Sequence, residues 1–404
     1  MSAGIKMGVI MFEKVCFFVN YNQYESKRYF TEKLSQAMNR QGIKTKIFDV
    51  VESKIHERMI EEIKEFNPDF TLSFNSILPL PDNTYLWDLL KIPHLSMLLD
   101  PSIYSVSLIQ SPYSIISCVD YFDCYGLATQ NFDRVFFFPH GVEKELFEES
   151  KKDKEYDVVF IGSCYDYETM RLSWQRELSK DLCAVLESAS ETFLSEPEVS
   201  LQEALIRAWQ KFNLSPEGAD FVKLFTYLDR YTRGLDRVQL IKNIRTAEVH
   251  IFGEPFEDDA TAVKGWKDLL KTRDNVIFHR PVSYSEGLKI LQKSKICLNS
   301  SPFFKNGSHE RIFNGLACGA LVITNDTLFV RENFSVGEDI VTYSSNPWND
   351  INEKVNYYLS NDEERNKVIA AGKKRVMEHD TWDHRVTLLK EVMPSMLLKT
   401  PAHK

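Results

Sequence analysis

The sequence predicts an α/β chain of two domains, each built on a parallel sheet. Three observations carry this. Short apolar runs alternate with helical stretches from residue 15 onward, the spacing of strand–helix–strand units whose strands lie parallel. A buried strand restarts at 157–161 after a charged stretch, and further strands follow it at 249–253, 276–279 and 296–298. The length, 404 residues, is enough for two cores.

The totals exclude several classes. At 43% hydrophobic and 26% charged, the composition is that of a soluble globular protein. A net charge of −9 argues against nucleic-acid binding through a basic surface. The seven cysteines include no CxxC pair, and an odd count fits reduced thiols in a cytosolic protein. No run approaches the roughly 18 apolar residues of a membrane span. The opening imitates a signal peptide, but Glu13 and Lys14 interrupt it and no small-residue cleavage site follows, so 15–19 reads as the first strand.

In the first half, strand 15–19 runs through a polar loop, 20–26, into a helix near 27–40 that Gly42 ends. Strand 43–48, a charged helix over 54–65 and strand 70–74 follow, the last after the Asn67-Pro68 turn. Beyond prolines 79 and 81 comes a helix near 83–90. The next apolar run ends on Asp100-Pro101. Carboxyl ends of strands are where α/β sheets place functional residues, although an aspartate there equally caps a loop. Segments 115–119, 126–129 and 134–139 read as short strands. His140-Gly141-Val142 makes a turn, and 144–156, rich in Lys and Glu without apolar period, reads as a linker.

In the second half, strand 157–161 meets a small-residue turn at Gly162-Ser163. Residues 170–244 are largely helical, with one apolar stripe through Leu172, Leu178 and Leu182 and a second through Phe221, Leu224 and Leu228. They read as core without chemistry. Asp258-Asp259 reads as solvated surface. Strand 276–279 leads to Arg280, a candidate phosphate ligand and equally a surface residue before a proline. A helix over 284–293 precedes strand 296–298, and a strand over 340–343 and helices over 348–360 and 363–398 close the chain.

Residues 299–326, NSSPFFKNGSHERIFNGLACGALVITND, organise the second half. A strand stops on small polar residues. Asn306-Gly307-Ser308 turns the chain with Ser308 as N-cap, and a helix follows with Ile312 and Leu316, Phe313 and Ala317 four apart. Gly319 closes it before the next buried strand. Such a unit aims N–H groups and the positive end of a helix dipole at one spot suited to phosphate. Gly307, Glu310 and Asn314 share a helix face, and Arg311 offers a forked donor. By spacing alone this is equally an ordinary βαβ crossover.

The segment NGSHERIFNGLACGALVITND resembles the signature of the CgeB-like (spore maturation protein-like) glycosyltransferases of the group 1, family 4-like set. The resemblance implies the GT-B fold: two Rossmann-like domains with parallel sheets facing a cleft, a helical insert in the second, and a C-terminal helix crossing back. The domains expected are 1–150 on the acceptor side, 151–375 on the nucleotide-sugar side, and a tail over 376–404. It implies transfer of a sugar, with retention, from a nucleotide diphosphate-sugar to an acceptor it does not name. No metal or cofactor is expected, no nucleic acid and no membrane span, and the location is cytoplasmic.

By the same resemblance, Gly162, Ser163, Arg171, Asn306, Gly307, Ser308, His309, Arg311 and Asn314 bind the donor, and Arg280 joins them only by its place at a strand end. Asp100 and Glu310 are the catalytic candidates, and His140, in a turn similar to the interdomain edge of such enzymes, either bonds donor or acceptor in the cleft or packs under the linker. Many relatives carry two glutamates eight apart. Those positions are Asn306 and Asn314 here, which leaves Glu310 as the remaining carboxylate. An epimerase or hydrolase of the same fold, or a silent nucleotide-sugar-binding protein, is the alternative. No P-loop, GxGxxG or nucleophile elbow competes.

Overall fold

The computed structural model describes residues 12–20, 24–50, 57–77, 79–80, 84–147, 153–215, 217–255, 264–271 and 273–403. Pro81, the start of the helix expected at 54–65, and Asp258-Asp259 lie outside the described residues. The chain divides into two compact units, Met1–Glu143 with Thr381–Lys404, and Lys144–Asp380.

The first unit runs β1 (Lys14–Val19), α1 (Ser26–Arg40), β2 (Lys44–Asp49), α2 (Glu57–Phe66), β3 (Phe70–Phe74), α3 (Leu86–Leu90), β4 (His94–Leu98), β5 (Ser114–Cys118), α4 (Tyr121–Thr129) and β6 (Val135–Phe137). All strand pairs are parallel, in the order β2-β1-β3-β4-β5-β6. Strands β3, β4 and β5 are buried at every position, as parallel strands covered on both faces must be. Residues 126–129, expected as a strand, instead end α4. Asp120 caps that helix by accepting from Phe122 N at 2.7 Å, and a four-residue apolar run carries too little periodicity to tell strand from helix.

A histidine sits at the centre of this sheet. His94 stacks on Trp87 with ring centroids 3.9 Å apart, and Trp87 stacks on Tyr85 at 4.5 Å. The Ser73 hydroxyl donates to Asn75 O at 2.7 Å, so it accepts from His94 Nε2–H at 3.0 Å, while Thr71 Oγ1 donates to Nδ1 at 2.7 Å. Both ring nitrogens are satisfied in the neutral form, and burial pushes the imidazole down to about 3.

The second unit runs β7 (Tyr156–Ile161), α5 (Tyr167–Glu177), α6 (Lys180–Ser195), α7 (Leu201–Lys211), α8 (Phe221–Asn243), β8 (Val249–Phe252), α9 (Trp266–Leu270), β9 (Val276–His279), α10 (Tyr284–Gln292), β10 (Ser294–Leu298), α11 (Glu310–Ala317), β11 (Leu321–Asn325), α12 (Leu328–Asn333), β12 (Val341–Tyr343), α13 (Ile351–Ser360) and α14 (Asp362–His379). Its parallel sheet has the order β12-β11-β10-β7-β8-β9. Read from the β9 edge, the strands come third, second, first, fourth, fifth, sixth in this unit, which is the Rossmann order. The direction of winding reverses between β7 and β10, and a crevice outside the carboxyl ends of those two strands is where such sheets bind ligands.

The stretch expected as a linker is structured at both ends: Lys144–Phe147 is a 3-10 turn and Tyr156 already belongs to β7. Lys154 Nζ donates to Gln292 O at 2.9 Å and to Gly319 O at 2.6 Å, so part of the charged run is fastened to the sheet layer. In the helical region Leu172 is 56% exposed, outside the core that its stripe suggested.

Helix α15 (Trp382–Leu397) returns to the first unit. Trp382 is fully buried against Phe30 and Phe74, with centroids 5.9 and 6.0 Å away, and Arg385 Nε donates to the carbonyls of Pro139 and His140 at 3.0 and 2.9 Å. Among the described residues no helix is long and apolar enough to cross a membrane.

Candidate functional site

The site is built at the carboxyl end of β7. Gly162 N donates to Phe252 O at 3.0 Å and Cys164 N to Glu254 O at 2.8 Å, so the turns after β7 and β8 lie backbone against backbone. This is possible because residue 253 is glycine: a Cβ there would stand 2.1 Å from Gly162 O. The close turn brings Gly162 under the helix that follows β10.

That helix, α11, starts one residue later than its sequence suggested. His309, with φ −121° and ψ 139°, is the N-cap, and Ser308 is fully buried before it. His309 Nδ1 lies 2.8 Å from Glu310 Oε2 and 3.3 Å from Arg311 N, while Nε2 lies 2.8 Å from Arg311 Nη2. A guanidinium only donates, so Nε2 accepts. The Nδ1 proton then belongs to the shorter contact with Glu310. One imidazole thus orients both charged side chains of the first turn.

Arg311 is 8% exposed and lies over the Phe160 ring at 5.5 Å. Its Nη1 would stand 3.6 Å from a Cβ at Gly162 and has no hydrogen-bond partner among the described residues. A second guanidinium reaches the same ring. Arg237 of α8, 4% exposed, lies 5.9 Å from the Phe160 centroid, and its Nη1 donates to Ser163 O at 2.7 Å while its Nε has no partner. Burial first, then the charges of Arg311 and Arg233 against an opposing Tyr165, pushes Arg237 down to about 10.

The segment read as apolar core therefore also contributes buried charged side chains to this cluster. Arg233, also on α8, pairs with Asp229 at 2.6 Å and covers the Phe303 ring at 3.5 Å. Asp236 is wholly buried. It accepts from Ser300 Oγ (2.6 Å), Asn325 Nδ2 (2.9 Å), Tyr343 Oη (2.7 Å), Ser345 Oγ (2.8 Å) and Trp348 Nε1 (2.7 Å). Burial, and then this carboxylate, holds the Tyr343 phenol well above its ordinary range. The signal in the sequence was four charges, Asp229, Arg233, Asp236 and Arg237, inside an apolar helix at spacings that share one face.

The other expected residues are distributed as follows. Asn314 is buried and its Nδ2 donates to Tyr284 Oη of α10. Asn306 and Gly307 lie in the loop before α11, and Lys305 Nζ pins that loop to Phe193 O of α6 at 2.6 Å. Arg171 is not brought to the cluster. It is half exposed, and its Nη2 pairs with Glu187 Oε1 at 2.8 Å, the hydrogen bond that raises its pKa first of all. Arg280 is exposed at the end of β9, two strands from β7, roughly 10 Å at the usual strand spacing. In the first unit, Asp100 is exposed after β4 and accepts from Asn75 Nδ2 at 3.1 Å. His140 is buried with its ring 6.0 Å from Phe30.

Two doubly wound Rossmann-like units in one chain define the GT-B fold. Residues 235–391 match the family described as glycosyl transferase-like. An uncharacterized protein of Aquifex aeolicus (strain VF5) is 22% identical over 378 residues, covering 86% of this chain and 88% of that one. Among solved structures, a glycosyltransferase from Rickettsia africae ESF-5 is similar with TM-score 0.54 and 11% identity, over 94% of this chain and 98% of that one. Sucrose-phosphate synthase from Thermosynechococcus elongatus gives 0.55 and 9%, over 95% and 98%. Anabaena HepE in complex with UDP-glucose gives 0.52 and 8%, over 95% and 98%.

Proposed function

We propose that the protein is a glycosyltransferase of the CgeB-like group that moves a sugar from a nucleotide diphosphate-sugar to an acceptor, with retention and without a metal. The observation that carries this is Arg311. A buried cation has an unpartnered N–H beside Gly162, at the winding reversal of a Rossmann sheet and the first turn of a helix. A buried, unpartnered guanidinium N–H is costly, and a phosphate oxygen satisfies it. The family match over 235–391 and the likeness to a protein solved with UDP-glucose support the same ligand class.

In the transfer, the bond between the anomeric carbon and the diphosphate oxygen breaks, and the acceptor oxygen bonds that carbon. The electron pair leaves with the diphosphate, whose growing charge meets Arg311 and the N–H groups at the start of α11. Glu310, held by His309, orients the sugar. Asp100 takes the acceptor proton.

The test is calorimetry with UDP, GDP and ADP, with and without EDTA, followed by product analysis with and without candidate acceptors. One diphosphate binds, and binding survives EDTA. Absence of binding by all three overturns the proposal. Turnover of the sugar donor that is unchanged by any acceptor would turn it into a hydrolase or epimerase.

A further inference from the structure

We propose that Arg237, on the long helix α8, is a second ligand of the donor's diphosphate, gripping it together with Arg311; this rests on the glycosyltransferase reading and names a residue that reading does not require. Four observations converge. Arg237 is almost wholly buried, yet its Nε has no partner among the described residues. Its guanidinium and that of Arg311 both lie over one ring, Phe160, at 5.9 and 5.5 Å from its centroid, and the charge of Arg311 acts on Arg237. After burial, the largest influences on its charge are Tyr165, Arg311, Arg233 and Cys164, none of them a carboxylate. Its placement is rigid: Ser163 O accepts from Nη1, and Asp236, the preceding residue, is tied to the segment after β10, to β11 and to the segment after β12.

Arg233 serves as the contrast within the same helix. Its charge is matched by Asp229 at 2.6 Å. Among the described residues neither Arg237 nor Arg311 has such a counterion, and two neighbouring unmatched cations in a low-dielectric site call for a polyanion. A diphosphate supplies more than one negative charge and acceptors enough for two guanidiniums. The approach of α8 is itself built in. Gly234 lets the helix press onto the loop after β7, where a Cβ would stand 2.6 Å from Tyr165 O, and this brings Arg237 one turn later to Ser163. A purely structural Arg237 would fasten α8 to Ser163 and leave ligand discrimination untouched.

The experiment measures affinity for UDP, GDP and ADP and for the parent nucleosides on the full chain, in wild type, Arg311→Ala, Arg237→Gln and Arg237→Lys, with melting temperatures for each. The expected result is that Arg237→Gln lowers the ratio of diphosphate to nucleoside affinity by about ten- to a hundredfold, with the nucleoside itself bound nearly as before. Arg237→Lys keeps the charge and loses the fork, so it falls between, and it decides the matter if the glutamine variant does not fold. A ratio within about twofold of wild type in the folded variants, while Arg311→Ala loses affinity, overturns the role of Arg237 and leaves the proposed function standing. Failure of wild type to bind any of the three diphosphates removes the proposed function and this inference with it.

Discussion

The carboxylate of Asp236 accepts the indole N–H of Trp348 at 2.7 Å, joining the middle of α8 to the loop after β12 across 112 residues. Its second oxygen takes Ser300, Asn325 and Tyr343. Asp236→Asn replaces one acceptor oxygen with an NH2 group that confronts donors. The hydroxyls can turn round, but the Trp348 N–H or the Asn325 amide is left facing another donor. The expected loss is about 1–3 kcal/mol of stability, read by denaturant unfolding. A variant as stable as wild type would show that the network is not holding α8.

Arg311→Ala is expected to weaken nucleoside diphosphate binding by about 1.5–3 kcal/mol, the range for a hydrogen bond to a charged group. Glu310→Gln keeps the shape and an acceptor for His309, so folding changes little while turnover falls. Calorimetry on the first and steady-state kinetics on the second check this. Unchanged values in both return α11 to a plain crossover helix.

Asp100→Asn keeps an oxygen for Asn75 Nδ2, so the loop after β4 should lose less than about 1 kcal/mol. If Asp100 is the acceptor-side base, donor affinity stays and transfer falls by roughly 10²–10⁴-fold. Near-normal transfer in this variant would make Asp100 a loop residue only.

His94 makes stability depend on pH in a defined direction. Its folded value, about 3, lies below the ordinary 6.5, so the unfolded chain binds the extra proton first as pH falls. Its contribution is therefore complete above about pH 6.5 and declines below it at up to about 1.4 kcal/mol per pH unit, until pH reaches the folded value. Wild type should lose melting temperature between pH 6.5 and 5 more steeply than His94→Asn. Parallel curves would show that His94 does not control acid stability.

Much of the architecture was legible because parallel strands buried on both faces are written as short apolar runs. Strand 70–74 is β3, and the run before Asp100 contains β4, buried at every position. Where a run was only four residues, at 126–129, the pattern had no power and the segment is helix. Strand–turn–helix chemistry at 299–326 was equally local, since glycines and a helix start announce their own backbone geometry. One residue decided the cap wrongly, because Ser308 is drawn into the interior and His309 takes the extended conformation instead.

The sequence by itself determined most of the order of strands and helices, the glycine turn at 162 and the α11 segment, all of which depend on neighbours a few residues away. Tertiary structure alone decided which arginines share the Phe160 ring. Arg171, in the helix after β7, pairs with Glu187, and Arg280 lies at the exposed end of β9, whereas Arg237 arrives from a helix 74 residues beyond Ser163. The reason is physical: an apolar stripe records that a helix is buried, but where its polar residues land depends on the close approach that Gly234 permits and on the donors that Asp236 finds in three other segments.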